Sequence, residues 1–392
     1  MASFRQHDDK TWEYRIRYKD IYTGKYKEKS KRGFKRKADA QHEADKVSLT
    51  LANGFVPKSD NQLFSQYVQS WYKVNEKLWR YNTARLKQQA INRINGQIGN
   101  VPIKSLSFDI IQRYLSYLNE MDLSRSTIEA DYDVIRGVAI KAIRENLIAD
   151  NILLGIKIPD GKRPREIRWW TIDTFKEFFD KQNARIEKLS NTKKQSYMYS
   201  SIRDLTMIYI MGACGLRVGE VCGLLTSSYD GVNHVIKVHH NLTATKTGGG
   251  VRAYQRQDFL KTNSSYREVP MPETAWQAVD RWLEVRSKLM GIPENKSDHS
   301  MFMSSQTPEM PIIPTRVDAQ LTEICKRFDL PPITPHGLRH TYASFLYQSN
   351  VPAKQAQMLL GHSTIRTTLD TYTHVSKNDN RKAINLLEKY LA

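Results

Sequence analysis

The sequence predicts a multidomain chain, mainly α with small β-sheets: an N-terminal sheet backed by a helix, then an all-helical segment, then a mixed α/β segment. Three observations predict this. At 392 residues the chain exceeds the roughly 250–300 residues at which single cores stop growing. The hydrophobic period changes from two to helical near residue 37, and turn-rich stretches at 56–60 and 159–165 interrupt the apolar pattern. The expected boundaries are 1–58, 61–159, a linker at 160–168, and 169–392.

From Lys10 to Lys37 the chain alternates: Trp12, Tyr14, Ile16 and Tyr18 fall on one side of a strand and Arg15, Arg17 and Lys19 on the other. After the Thr23-Gly24 turn comes a second basic run containing Lys25, Lys27 and Lys29. Two or three short strands with a basic face are expected, with a helix from Lys37 packed behind them. Beyond the VPKSD linker at 56–60, Leu63, Phe64, Tyr67, Val68 and Trp71 form one helical stripe, and Ile110, Ile111, Tyr114, Leu115 and Leu118 another. Ser124 or Ser126 can cap the next helix, which carries Ile128, Tyr132, Ile135 and Val138. Residues Pro159 to Arg165 then read as an extended basic connector through Lys162, Arg163 and Arg165. Strands are expected at Val235–Val238 and Tyr266–Val269, and a helix at Arg381–Ala392 with Ile384, Leu387 and Leu391 on one stripe.

The charge balance narrows the partner. Sixty Lys and Arg against 41 Asp and Glu give a formal net charge of +19, which implies a polyanion, with nucleic acid ahead of an anionic membrane surface. No apolar run reaches the roughly 18–20 residues of a membrane span, and the N-terminus lacks a signal-peptide core, so a cytoplasmic protein is expected. Three cysteines, Cys214, Cys222 and Cys325, are too few and scattered for a disulfide framework or zinc site. Neither a GxxxxGK loop nor a zinc-ligand cluster occurs.

Four pieces of the last half carry chemistry. In Gly212-Ala213-Cys214-Gly215-Leu216-Arg217-Val218-Gly219-Glu220, the glycines can end one helix and Arg217 falls in the first turn of the next, with Glu220 three residues on. In Thr334-Pro335-His336-Gly337-Leu338-Arg339, Thr334 and Pro335 start a helix; Leu338, Thr341, Tyr342 and Phe345 face the core, while His336 and Arg339 share the opposite side. An imidazole and a planar guanidinium at a helix start suit a phosphate. Gly361 can terminate a third helix just before His362, and Tyr372 follows ten residues later. Each alone has a bland reading: an ion pair, a surface histidine, a core aromatic.

Together, Arg217 with Glu220, His336-x-x-Arg339, Leu360-Gly361-His362 and Tyr372, in that order and spacing, resemble the signature of the tyrosine recombinases, the phage-integrase family. The resemblance extends from about Arg165 to the C-terminus. The family also uses a lysine on a β-hairpin between its two arginines; Lys261, in Leu260-Lys261-Thr262…Tyr266-Arg267-Glu268-Val269-Pro270, matches best, and Lys246, beside Gly248 to Gly250, is the alternative. Upstream, the resemblance implies a helical core-binding (SAM-like) domain, a basic linker, and an N-terminal sheet domain that binds separate arm sites. That extension favours an integrase of a phage or integrative conjugative element. Arg15, Arg17, Lys19, Lys25, Lys27, Lys162, Arg163 and Arg165 are the expected DNA contacts.

The resemblance implies the roles as well. Arg217 and Arg339 clamp the phosphate, His336 assists proton removal from the nucleophile Tyr372 or bonds the phosphate, Lys261 protonates the departing oxygen, His362 donates a further hydrogen bond, and Glu220 buttresses Arg217 or His336. Because the covalent link retains the phosphoester energy, no cofactor is required. The implied partners are double-stranded DNA carrying core and arm sites, three further copies of the chain in a tetramer, a host DNA-bending protein and an excisionase. Relaxation of DNA in the manner of a type IB topoisomerase, and a non-cleaving DNA-binding regulator, are the alternatives.

Overall fold

The structure is a computed structural model that describes residues 2–19, 26–52, 62–162, 168–246, 252–258, 266–294, 298–303 and 310–376. The chain divides into two compact units, Met1–Pro164 and Arg165–Ala392. Among the described residues, no helix is long and apolar enough to cross a membrane.

The first unit opens with an antiparallel sheet of β1 (Ala2–Gln6), β2 (Trp12–Lys19) and β3 (Tyr26–Phe34), followed by α1 (Lys37–Ala52). The strand β1 lies before the alternation visible from Lys10. Its Phe4 joins Tyr14, Ile16, Phe34, Ala44 and Val47 in a small core, so α1 does pack behind the sheet. A helical part follows: α2 (Phe64–Asn75), α3 (Tyr81–Ile98), α4 (Phe108–Glu120) and α5 (Arg125–Arg144). Phe64, Tyr67, Val68, Ile111, Leu115, Ile128 and Ile135 fill its core, on the stripes expected from the sequence. Asp131 is fully buried and is satisfied by Arg93 and by the Tyr114 hydroxyl at 2.7 Å. Ser124 caps α5, accepting from the Thr127 amide. The stretch expected to be an extended connector is instead tied down at its start: the Lys162 amide donates to the Leu123 carbonyl at 2.8 Å, and Gly161 bridges to Ser124.

In the second unit α6 (Ile172–Ser190) and α7 (Gln195–Ala213) lead into the six-residue α8 (Val218–Gly223). Strands β4 (Tyr229–Asp230), β5 (Val235–Val238), β6 (Asn241–Lys246), β7 (Arg252–Gln257) and β8 (Arg267–Pro270) come next. The helices α9 (Glu273–Met290), α10 (Pro314–Phe328), α11 (Pro335–Gln348), α12 (Ala353–Leu360) and α13 (Ile365–Ser376) complete the described part. β5 pairs with β4 and β8, setting Ile236 opposite Val269, both fully buried. β6 and β7 form a separate hairpin whose arms were not legible as strands. Trp170, Phe178, Ile208, Trp282 and Phe302 lie in one continuous core with Cys214, Cys222 and Cys325. The expected C-terminal helix lies outside the described residues.

Candidate active site

Helix termini build the site. α7 ends through Gly215, whose φ of +69° is the left-handed conformation glycine favours; a Cβ there would meet the Tyr342 ring at 2.2 Å. Two residues on, Arg217 is the N-cap of α8 and not part of its first turn as the sequence suggested, because the short helix begins only at Val218. Glu220 supplies the reciprocal cap. Its Oε2 accepts from the Arg217 backbone amide at 2.9 Å, and its Oε1 accepts from Arg217 Nη1 at 2.8 Å. One carboxylate therefore starts the helix and orients the guanidinium. It is 2% exposed, so this is no surface ion pair.

Thr334 caps α11 by accepting from the Gly337 amide at 3.1 Å, with Pro335 at the helix start, as expected. The helix does not present His336 and Arg339 side by side on an open face. His336 is exposed, whereas Arg339 is 3% exposed and donates through Nη1 to the Gly215 carbonyl at 2.8 Å. The wider core, which also receives α12, swallows the guanidinium.

The C-terminus of α12 is where the cations meet. Gly361 ends this helix at φ +66°, leaving terminal carbonyls without helical partners. Arg267 Nε donates to the Leu359 carbonyl at 2.8 Å, Arg339 Nη2 to that of Leu360 at 2.5 Å, and Arg217 Nη2 to that of Gly361 at 3.1 Å. Three guanidiniums thus close three successive carbonyls at the negative end of a helix dipole. Arg267 also grips Glu220, with Nη2 3.0 Å from Oε2 and Nη1 3.3 Å from Oε1. Its role was missed from the sequence, although the Arg-x-Val-Pro run that contains it was in view.

The electrostatics follow from this packing. Burial alone would raise the Glu220 carboxyl, but the charge and hydrogen bonds of Arg267, then the charges of Arg217 and Arg339, hold it down to about 2. Burial, then Arg217, pushes Arg339 down to about 9, against the pull of Glu220. Among the described residues, one carboxylate faces three guanidiniums, a surplus of positive charge. Next to it, partial desolvation by packed neighbours and then the charges of Arg339 and Arg217 lower His336 although its side chain reaches solvent, and burial followed by the same two charges takes His362 to about 3. His362 is therefore neutral at pH 7, and His336 is biased towards its neutral form. His336 Nε2 lies 3.1 Å from Nε2 of His340, one turn on, and His362 Nδ1 lies 2.9 Å from the Thr368 hydroxyl.

Tyr372 stands apart from the cations. It sits on α13 in a small apolar cluster with Tyr342, Leu346, Ala356 and Leu360, edge-on to Tyr347 at 5.2 Å. Among the described residues, its hydroxyl donates to the Val351 carbonyl at 3.3 Å, and burial raises its pKa. Lys261 lies outside the described residues; Lys246 is the last residue of β6.

Among the described residues, the expected DNA contacts of the N-terminal sheet fall on both of its faces. Cross-strand partners share a face, and the register sets Arg15 opposite Ser30 and Arg17 opposite Glu28, but Lys27 opposite Tyr18. Lys27 therefore lies on the face that α1 covers, while Arg15 and Arg17 occupy the open one. Arg15 pairs with Glu13 at 3.2 Å, and Arg17 stacks over the Tyr26 ring at 4.9 Å. Lys19 pairs through its backbone with Tyr26, and Lys162 pairs with Asp122. Lys25, Arg163 and Arg165 lie outside the described residues. Among the described residues, no group of three or more His, Cys, Asp or Glu is arranged to hold a metal.

Comparison with known proteins assigns the unit that carries these helix ends. The sequence pattern of the Phage integrase family matches residues 181–379, just over half of the chain. The chain belongs to the phage integrase family. Upstream, the patterns of an Arm DNA-binding domain and of the Phage integrase N-terminal SAM-like domain match this integrase at residues 3–51 and 63–119. It is 28% identical over 282 residues to the tyrosine recombinase XerC of Bacillus pumilus, covering 71% of this chain and 80% of that protein. Its fold is similar to that of the Tn1549 transposon integrase in complex with transposon right end DNA, with a TM-score of 0.65 and 22% identity, over 83% of this chain and 100% of the other. A lambda integrase tetramer bound to a Holliday junction aligns with a TM-score of 0.55 and 15% identity, over 96% of both chains. The integrase is thus a site-specific DNA recombinase of the tyrosine class.

Proposed function

We propose that this recombinase integrates and excises a mobile element by breaking and rejoining DNA strands through a 3′-phosphotyrosine at Tyr372 and a Holliday junction. The observation that carries this reading is the convergence of Arg217, Arg267 and Arg339 on the end of α12, with Glu220 shared as a carboxylate partner by Arg217 and Arg267. A phosphodiester carries one negative charge and its pentacoordinate transition state two, so a preorganised positive surplus favours the transition state over the ground state.

The Tyr372 oxygen attacks phosphorus and the bond to the 5′ oxygen breaks. The phenolic proton passes to neutral His336, the departing oxygen takes a proton from Lys261, and His362 donates a hydrogen bond to the phosphate. Reversal with a partner strand's 5′ hydroxyl rejoins DNA without external energy. Before attack, the Tyr372 hydroxyl must leave the Val351 carbonyl, so α13 or the side chain must move.

The remaining parts follow the same reading. Residues 1–58 bind arm-type sites, 61–159 the core site, and 160–168 link them to a catalytic domain over 169–392. Four protomers act on two duplexes, in keeping with the lambda integrase tetramer on its junction. The work takes place in a bacterial cytoplasm, with a DNA-bending protein and an excisionase setting direction.

Sequencing the element's junctions gives the attachment sites, and plasmids bearing those sites give the assay. Site-dependent integrants with a Holliday-junction intermediate are the expected products. Relaxation of supercoils with no exchange would favour the topoisomerase reading, and tight binding with no cleavage the regulator reading.

A further inference from the structure

We infer that Thr368 is a positioning residue: its hydroxyl donates to Nδ1 of His362 across 2.9 Å and so fixes the ring's single proton on Nε2, where a phosphate oxygen can receive it. The inference rests on the reading above, in which His362 bonds the phosphate.

Three observations set the direction of this hydrogen bond. Thr368 is fully buried. Two other threonines of α13 spend their hydroxyls on the preceding turn, Thr371 on the Thr367 carbonyl at 2.9 Å and Thr373 on that of Leu369 at 2.8 Å. Among the described residues, Thr368 makes no such bond, and the partner of its hydroxyl is the imidazole. If Nδ1 carried the proton and donated to Thr368, the threonine O–H would be left buried without an acceptor, which native structures avoid. With Thr368 as donor, every polar atom of the pair is used.

A neutral ring makes the choice of nitrogen decisive. Burial and the charges of Arg339, Arg217 and Arg267, together with His340, keep His362 neutral near pH 7, so it has one proton to give. The other tautomer would turn a lone pair towards the phosphate and repel it. Thr368 is also one helical turn before Tyr372 on the same face of α13, so the contact joins the helix of the nucleophile to a phosphate-binding group.

The test uses the full-length protein labelled with ¹⁵N-histidine, with His362→Gln to assign the ring by long-range nitrogen–proton correlation at pH 7. A proton on Nε2 is expected; one on Nδ1 overturns the inference even if no variant can be made. Thr368→Val should mix the tautomers and slow single-turnover cleavage about tenfold, the worth of one hydrogen bond, with DNA affinity unchanged. Thr368→Ser should restore the rate to within about twofold. A valine variant at the wild-type rate, or a serine variant as slow as valine, would overturn the inference. Because the tautomer is read without cleavage, a wild-type protein that forms no DNA adduct would sink the functional reading and leave this result standing.

Discussion

Arg267 closes both terminal nitrogens on the carboxylate of Glu220, at 3.0 and 3.3 Å, with both side chains almost wholly buried. Removing one partner of such a pair strands the other charge in the interior. Arg267→Met should therefore cost about 3 kcal/mol of stability, and strand cleavage should fall further than DNA binding because Glu220, which orients Arg217, loses its second partner. Chemical denaturation and single-turnover cleavage measure the two effects separately.

The same carboxylate predicts a pH dependence. Glu220 has a folded pKa of about 2 against the 4.5 of an ordinary glutamate, so its stabilisation is present above the unfolded value and is lost as pH falls through the folded one. The shift corresponds to about 3 kcal/mol. Glu220→Gln should be less stable than wild type by that order at pH 7, with the gap shrinking between pH 4.5 and 2, as equilibrium denaturation across that range would show.

Two glycines separate backbone strain from site geometry. Gly361 and Gly291 have φ of +66° and +64°, but a Cβ on Gly361 would stand 2.9 Å from Arg267 Nη1, while one on Gly291 would meet nothing within 4 Å. Gly291→Ala should lose only about 1 kcal/mol and no activity. Gly361→Ala should lose more and should slow cleavage by displacing Arg267. Thermal melts and cleavage rates on both variants check this.

The division of the N-terminal sheet into two faces predicts unequal effects on arm-site binding. Arg17→Ala, on the open face, should weaken binding and lower the salt slope by about one. Lys27→Ala, on the helix side of the edge strand, should change both less. Fluorescence titrations at several salt concentrations distinguish them.

Much of this was legible in the sequence because periodicity and caps are local. The stripe of Phe64, Tyr67, Val68 and Trp71, the Thr334 cap and the Gly361 terminator each declare themselves within a few residues. What stayed hidden depends on contacts across long stretches of chain. The face of Lys27 is set by register with Tyr18, the burial of Arg339 by α12 packing over it, and the part played by Arg267 by a carboxylate 47 residues away. Thr368 was overlooked for the same reason, since helix propensity says nothing about which threonine gives its hydroxyl to a histidine.

The central claim is that Tyr372 is the nucleophile. A nicked suicide substrate should trap a denaturation-resistant adduct, which nuclease and trypsin would reduce to the peptide 367–377 carrying nucleotide. Mass spectrometry should find that nucleotide on Tyr372, joined through its 3′ phosphate, and Tyr372→Phe should bind DNA without forming the adduct. Nucleotide on Tyr347 or Tyr342, attachment through a 5′ phosphate, or an adduct that survives Tyr372→Phe would contradict the account.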